Sequence, residues 1–222
     1  MATWGLHLRL AEAILDRGYD LDEAMFSVGN IGPDCGVPNE DWSAFDPPSE
    51  VSHWSVKGKS GIQSEKFYQA YLGGVIEDHQ EKSFLIGYYV HLQTDLAFTK
   101  LFKAMKKNEP VYAPLEKDPK FIWTIKEDWY DLDHVYFRDH PESLFYRVFQ
   151  HVKEVPNYLD YYPEGAIIRQ VKNITSYYQN PSDNLDRAYI YLNGEVMDRF
   201  IRETVGGICE ELESKGLVAL NE

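Results

Sequence analysis

Only two cysteines, Cys35 and Cys209, occur in 222 residues. That is too few for a disulfide framework, and a reducing compartment is expected. Basic residues are scarce beside acidic ones: 22 Lys and Arg against 36 Asp and Glu give 22 − 36 = −14 with His neutral. Such a balance repels nucleic-acid phosphates and anionic lipid, so neither a nucleic-acid partner nor stable membrane association is expected. Long apolar runs are missing too. No stretch approaches the roughly 18 uninterrupted apolar residues of a membrane span, and the greasiest window, 84–90, is followed at once by His91. The opening Met-Ala-Thr-Trp-Gly-Leu-His has neither the basic n-region nor the apolar h-region of a secretory leader. A cytoplasmic location is therefore expected, and the sequon at Asn173-Ile-Thr175 is read as chance. Repeats, low-complexity tracts and strand-like alternation are also absent.

What is present is apolar and aromatic. With 44% hydrophobic residues, 16 Tyr, 11 Phe and 5 Trp, disorder is excluded for most of the chain. This length can bury a core without staples, and one domain over 1–222 is expected. Helical spacing dominates. Thr3 can cap a first helix that runs to about Asp16, with Gly18 as terminator; Trp4, His7, Ala11 and Ile14 share its inner face. Asp20 or Asp22 begins a short helix that ends near Gly29, and a long loop over 30–59 follows. Further helices are predicted over 64–75, 83–107, 126–138, 141–153, 161–178 and 184–215, the last carrying Leu185, Tyr189 and Leu192 at helical spacing. Apolar residues cover more than half of the 83–107 helix, which predicts a central, buried position. The class is all-α.

His91-Leu-Gln-Thr-Asp95 is the most informative motif. Spacing of four on a helix puts imidazole and carboxylate side by side, about 6 Å apart at their Cβ atoms. That geometry suits two ligands of one divalent metal, or a bridging Asp95 between two. It equally suits a buried His–Asp hydrogen bond. His7 sits on an otherwise apolar helix face, where a satisfied core histidine is the plain alternative. Gly29-Asn-Ile-Gly-Pro-Asp34 holds Asp34 in a tight turn, whose plain alternative is an Asx contact, and Ser52-His53-Trp54 follows.

In that order these motifs resemble the zinc-dependent phospholipase C (phospholipase C/D) domain family of helical metal hydrolases. The resemblance rests on His7, on Phe26-Ser-Val-Gly-Asn-Ile-Gly-Pro-Asp34, on Ser52-His53-Trp54 and on Gly87-Tyr-Tyr-Val-His91-Leu-Gln-Thr-Asp95. It covers 1–107, the motif-bearing part; helices of the 120–217 part lie outside it, apart from a loose match at Asp128-Trp-Tyr-Asp131-Leu-Asp133. It implies a bundle of phospholipase C/P1 nuclease type, with zinc ions held among antiparallel helices. Asp34, His53, His91 and Asp95 would hold one zinc, and His7 would join a bridging Asp95 at a second. Secreted members complete that second site with the amine and carbonyl of an N-terminal Trp, whereas Trp4 here is internal. Their third zinc uses His-x-x-x-Glu, which this sequence lacks, so two ions are expected. Asp131, beside Asp133 and His134, is a further candidate ligand, the alternative being an acidic helix N-terminus. Cys35 is read as a small buried turn residue rather than a soft ligand.

The implied activity is hydrolysis of a phosphoester, of a small molecule or a phospholipid. Paired cations lower the pKa of water from near 16 toward about 7 and offset phosphate charge, with Asp34 as the proton acceptor. Trp4, Trp54, Tyr88 and Tyr89 can wall a pocket or simply pack in the core. An HD-type phosphohydrolase needs an adjacent His-Asp dipeptide, and the chain offers only Asp-His pairs such as Asp78-His79 and Asp139-His140. The non-enzymatic alternative is a catalytically inactive helical metal-binding or interaction module.

Overall fold

Thr3 is extended and its side chain accepts a hydrogen bond from the Leu6 N–H, which starts α1 (Trp4–Leu15) where capping chemistry puts it. Gly18, at φ +80°, turns the chain out of that helix. Asp22 caps α2 (Glu23–Gly29) through the Met25 N–H. The computed structural model describes residues 2–41, 43–56, 61–181 and 184–220. Of the loop expected over 30–59, Trp42 and 57–59 lie outside the described residues. The rest of it holds a 3₁₀ turn, Gly32–Asp34, an antiparallel pairing of β1 (Val37–Pro38) with β2 (Phe45–Asp46), and a one-turn α3 (Ser49–Ser52).

The helix expected over 64–75 divides into α4 (Ser64–Phe67) and a π turn, Tyr68–Leu72. The central helix, α5 (His79–Asn108), begins a turn before 83 because Asp78 takes the cap, accepting from the Gln80 and Glu81 N–H groups. After α6 (Pro114–Lys117), α7 (Ile122–Asp139) also begins a turn early, straight out of the 3₁₀ turn Pro119–Phe121. The 141–153 expectation reduces to α8 (Leu144–Arg147) and a 3₁₀ turn, Phe149–His151. Gly165 at φ +72° delays α9 (Ala166–Gln179), and Asn193, as N-cap, delays α10 (Gly194–Ser214). Leu185, Tyr189 and Leu192 thus precede the helix on which spacing placed them. With 64% helix and 4% strand the class is all-α.

Every residue of α5 from Ser83 to Leu92 is buried, so this helix forms the axis of the fold. Helix α1 lies antiparallel to it: His7 meets His91, and the Ala2 N–H meets Asp95. Helix α10 is antiparallel too, with Phe200 at Phe98 and Glu211 at Tyr89 and Gln93. Helix α2 runs the other way, a departure from the antiparallel arrangement the resemblance implies. Its start, middle and end meet α5 in the same order, Asp22 at Ser83, Phe26 at Gly87 and Asn30 at His91. Two glycines make that approach possible. A Cβ on Gly29 would stand 2.0 Å from the Phe84 carbonyl oxygen, and one on Gly87 2.3 Å from that of Phe26. Backbone therefore packs on backbone where the His91 turn meets the turn leading to Asp34. A single cluster of buried apolar residues extends from Ala2 to Leu217.

Candidate metal centre

Five side chains that sequence reasoning selected arrive at one place. α1 supplies His7, the 3₁₀ turn after α2 supplies Asp34, the residue after α3 supplies His53, and α5 supplies His91 and Asp95. His53 Nε2 lies 3.3 Å from Asp34 Oδ1 and 3.8 Å from Asp95 Oδ2. His91 Nε2 is also 3.8 Å from Asp95 Oδ2, while His7 Nε2 is 3.7 Å from Asp95 Oδ1. The carboxylate of Asp95 therefore stands between the histidines, one oxygen toward His7 and the other toward His53 and His91. The rings of His7 and His91 stack at 3.7 Å, 5° from parallel.

Burial makes this expensive unless something completes it. His7, His91 and Asp95 are fully buried and His53 nearly so. Yet both nitrogens of His7, Nε2 of His53 and of His91, and Oδ2 of Asp95 have no hydrogen-bond partner. Buried polar atoms are normally satisfied, and each one left unpaired costs about 1–3 kcal/mol. Unpartnered atoms on four separate side chains converge on one spot, as donors that could hold a cation would. Two groups fit one: His7, His91 and Asp95, and Asp34, His53 and His91, each with its ligand atoms within 4.8 Å of one another. The donors are imidazole nitrogen and carboxylate oxygen, a set that suits zinc, iron or manganese.

The electrostatics prepare these groups as ligands. Desolvation, reinforced by the neighbouring His7, pushes the His91 imidazole down to about 3, so it is neutral at pH 7. Its Nδ1 donates to the Asn30 carbonyl at 2.8 Å, which leaves the Nε2 lone pair for the centre. His53 Nδ1 lies 3.1 Å from Ser52 Oγ. For Asp34, burial raises the carboxyl, but His53 and His91 override it and hold it at about 2. Asp95 is likewise raised by burial and brought far below the ordinary carboxylate range by the imidazoles of His7 and His91.

The two groups are not equally built. His53 and His91 each have a partner on the far ring nitrogen, whereas His7 has none. The Ala2 N–H donates to Asp95 Oδ1 at 2.8 Å and so competes for the oxygen that faces His7. Asp34, His53, His91 and Asp95 Oδ2 form the more complete set.

Comparison with family models, with curated proteins and with solved structures finds no match. The geometry therefore stands on its own.

Asp131 does not reach the centre. Its Oδ2 takes a two-pronged contact from Arg187, at 3.1 Å from Nε and 2.8 Å from Nη2, and the same guanidinium engages Asp128. Nor is this acidic segment a helix N-terminus, since α7 starts at Ile122. Asp133 instead stands against Gly5 of α1; Tyr178 Oη, on α9, donates to it at 2.8 Å, and burial raises its carboxyl to about 6. Cys35 is buried and its thiol donates to the Ile31 carbonyl at 3.4 Å, the turn role expected of it.

A cavity of about 220 Å³ opens beside the cluster, with Ala2, Thr3, Asp34 and Gly36 at the inner wall. A smaller one of about 90 Å³, sharing Gly36 and Phe45 with it, adjoins Asp34 and His53. Asp34 is thus the cluster residue that faces both spaces. Of the four aromatics named from the sequence, Trp4 lines the larger cavity. Tyr88 and Tyr89 are core, and Trp54, at φ +49°, turns the chain after His53 with its indole N–H 3.4 Å from Tyr161 Oη. Sequence reasoning missed the Asn30 carbonyl, because a backbone acceptor carries no residue signature. It also missed the far wall of the cavity, formed by α7 and α9, which bears no metal-ligand chemistry.

Proposed function

We propose that this chain is a metal-dependent phosphoester hydrolase whose ion is zinc, with a centre akin to that of zinc-dependent phospholipases C. The observation that carries the reading is the convergence of unpartnered His53 Nε2, His91 Nε2 and Asp95 Oδ2 beside Asp34, at the wall of a cavity. Asp34, His53, His91 and Asp95 would hold the principal ion. His7 and Asp95 Oδ1 would offer a second, weaker position. A divalent cation here supplies Lewis acidity that brings the pKa of water toward about 7 and offsets the charge of a phosphate. The protein's part is positional. Asn30 fixes the His91 tautomer, Ser52 steadies His53, and Asp34 keeps a carboxylate ionised at the cavity wall, where it can accept a proton from water. The acidic surface is consistent with this division, since few Lys or Arg are present to neutralise phosphate.

Two buried, unpaired thiols, Cys35 and Cys209, accord with work in a reducing, cytoplasmic setting. The competing reading, a metal-binding module without activity, draws on the complete burial of His7, His91 and Asp95. Exposure of Asp34 to the cavities favours chemistry. The deciding experiment assays zinc-loaded protein on bis(p-nitrophenyl) phosphate. Turnover that disappears in Asp34→Asn while zinc stays bound supports hydrolysis. Bound zinc without turnover of this diester or of p-nitrophenyl phosphate gives the module reading.

A further inference from the structure

The larger cavity has a wall that the metal centre does not use. Helix α7 presents Lys126, Trp129 and Tyr130 to it, at the i, i+3, i+4 spacing of one helix face, and α9 presents Gln170 and Asn173 at i, i+3. Trp4, at the start of α1, stands at the same cavity. Two of these groups are unfinished. The Trp129 ring is buried and its indole N–H has no hydrogen-bond partner. Gln170 is 6% exposed, and its Oε1 accepts from Asn173 Nδ2 at 3.4 Å. That contact leaves the Gln170 NH₂ as a donor and the Asn173 oxygen as an acceptor, side by side, with no other hydrogen bond to either side chain among the described residues.

We infer that this cavity holds the organic half of the phosphoester, and that this half is a single polar ring rather than a pair of acyl chains. The inference rests on the hydrolase reading above and adds the substrate class. Three observations converge on it. At about 220 Å³ the space is below the roughly 300 Å³ at which pockets begin to take drug-sized ligands, so a diacylglycerol does not fit inside it. Aromatic faces bind rings by stacking, and the Gln170–Asn173 carboxamide pair supplies a donor and an acceptor for a ring's polar edge. Aromatic walls alone would also suit a quaternary ammonium. Such a headgroup, however, offers nothing for the Gln170 and Asn173 carboxamides to hydrogen-bond, whereas the edge of a polar ring does. A flat heterocycle and a sugar share this chemistry.

Calorimetric titration of the zinc-loaded protein tests it, using adenosine 5′-monophosphate, glucose 6-phosphate, glycerol 3-phosphate and dihexanoylphosphatidylcholine. At least one ring phosphate is expected to bind tenfold or more tightly than glycerol 3-phosphate. Preference for the adenosine ester marks a heterocycle, and preference for the glucose ester marks a sugar. Gln170→Ala and Asn173→Ala are each expected to remove most of that preference, with zinc content unchanged. Equal affinities, a preference for the lipid, binding of none of the four, or a preference that survives both substitutions overturns the inference. Turnover of bis(p-nitrophenyl) phosphate is read on the same samples. Turnover without ring preference sinks the cavity assignment alone, and ring preference without turnover sinks the hydrolase reading alone.

Discussion

The Nδ1–H of His91 donates to Asn30 and its Nε2 belongs to both candidate ligand groups. His91→Ala should therefore reduce zinc content to background in elemental analysis, whereas His7→Ala should leave the principal ion in place. Asp34→Asn keeps shape and loses the proton acceptor, and should lower turnover by about 10²–10⁴-fold with the ion retained. The buried groups also set how the metal-free fold responds to acid. His91 titrates at about 3 when folded, against an ordinary 6.5, so the unfolded chain takes up the proton first. Its contribution to stability is complete above 6.5 and is lost as pH falls toward 3. Asp133 has the opposite sign. Its carboxyl is raised from 3.8 to about 6 by burial, so its penalty is absent below 3.8 and grows as pH rises through 6. Asp133→Asn retains an oxygen for Tyr178 and should stabilise the chelated protein at pH 7 by up to about 3 kcal/mol, with little change at pH 4. Urea midpoints in a chelator at pH 4 and pH 7 measure the difference; equal midpoints at both values would contradict it.

Helix α2 reaches α5 through Gly29 and Gly87, and that approach delivers the Asn30 carbonyl to His91 and the following turn to Asp34. Gly87→Ala would put a methyl group 2.3 Å from the Phe26 carbonyl oxygen. It should cost about 1–3 kcal/mol and weaken zinc binding although it touches no ligand; an unchanged urea midpoint would contradict this. The same elements show what a sequence can and cannot reveal. The caps of α1 and α2 and the apolar pattern of α5 were legible, because capping and periodicity are local, although the Asp78 cap that starts α5 a turn earlier was not. Of the five candidate ligands, His7, His91 and Asp95 stood out because their chemistry is rare on apolar helix faces, and Asp34 and His53 through the short motifs around them. Starts and ends in the C-terminal half were not. Gly165 and Asn193 override apolar spacing that continues upstream of α9 and α10, and the aromatics at 185–192 pack without being helical. The pairing of Asp131 with Arg187 was not legible, because the two lie 56 residues apart. The parallel course of α2 was hidden for a similar reason, since no local pattern encodes the direction of a neighbour.

At the scale of the molecule, α1, the turn after α2, the end of α3 and α5 each bring a side chain to the cluster, so an ion there would tie distant parts of the chain together. Zinc at a hundred times its dissociation constant should add about 2.7 kcal/mol to stability. For a chain of this size that raises the melting temperature by roughly 5–10 °C, an increment that a chelator reverses. Among the described residues no helix is long and apolar enough to cross a membrane. The most direct measurement is anomalous diffraction at the zinc edge from crystals grown with zinc. The expected result is a peak within about 2.0–2.2 Å of the Nε2 atoms of His53 and His91 and of an oxygen from each of Asp34 and Asp95. A zinc-saturated crystal with no peak there, or with those imidazoles turned toward separate neighbours, would contradict a metal centre and the hydrolysis built on it.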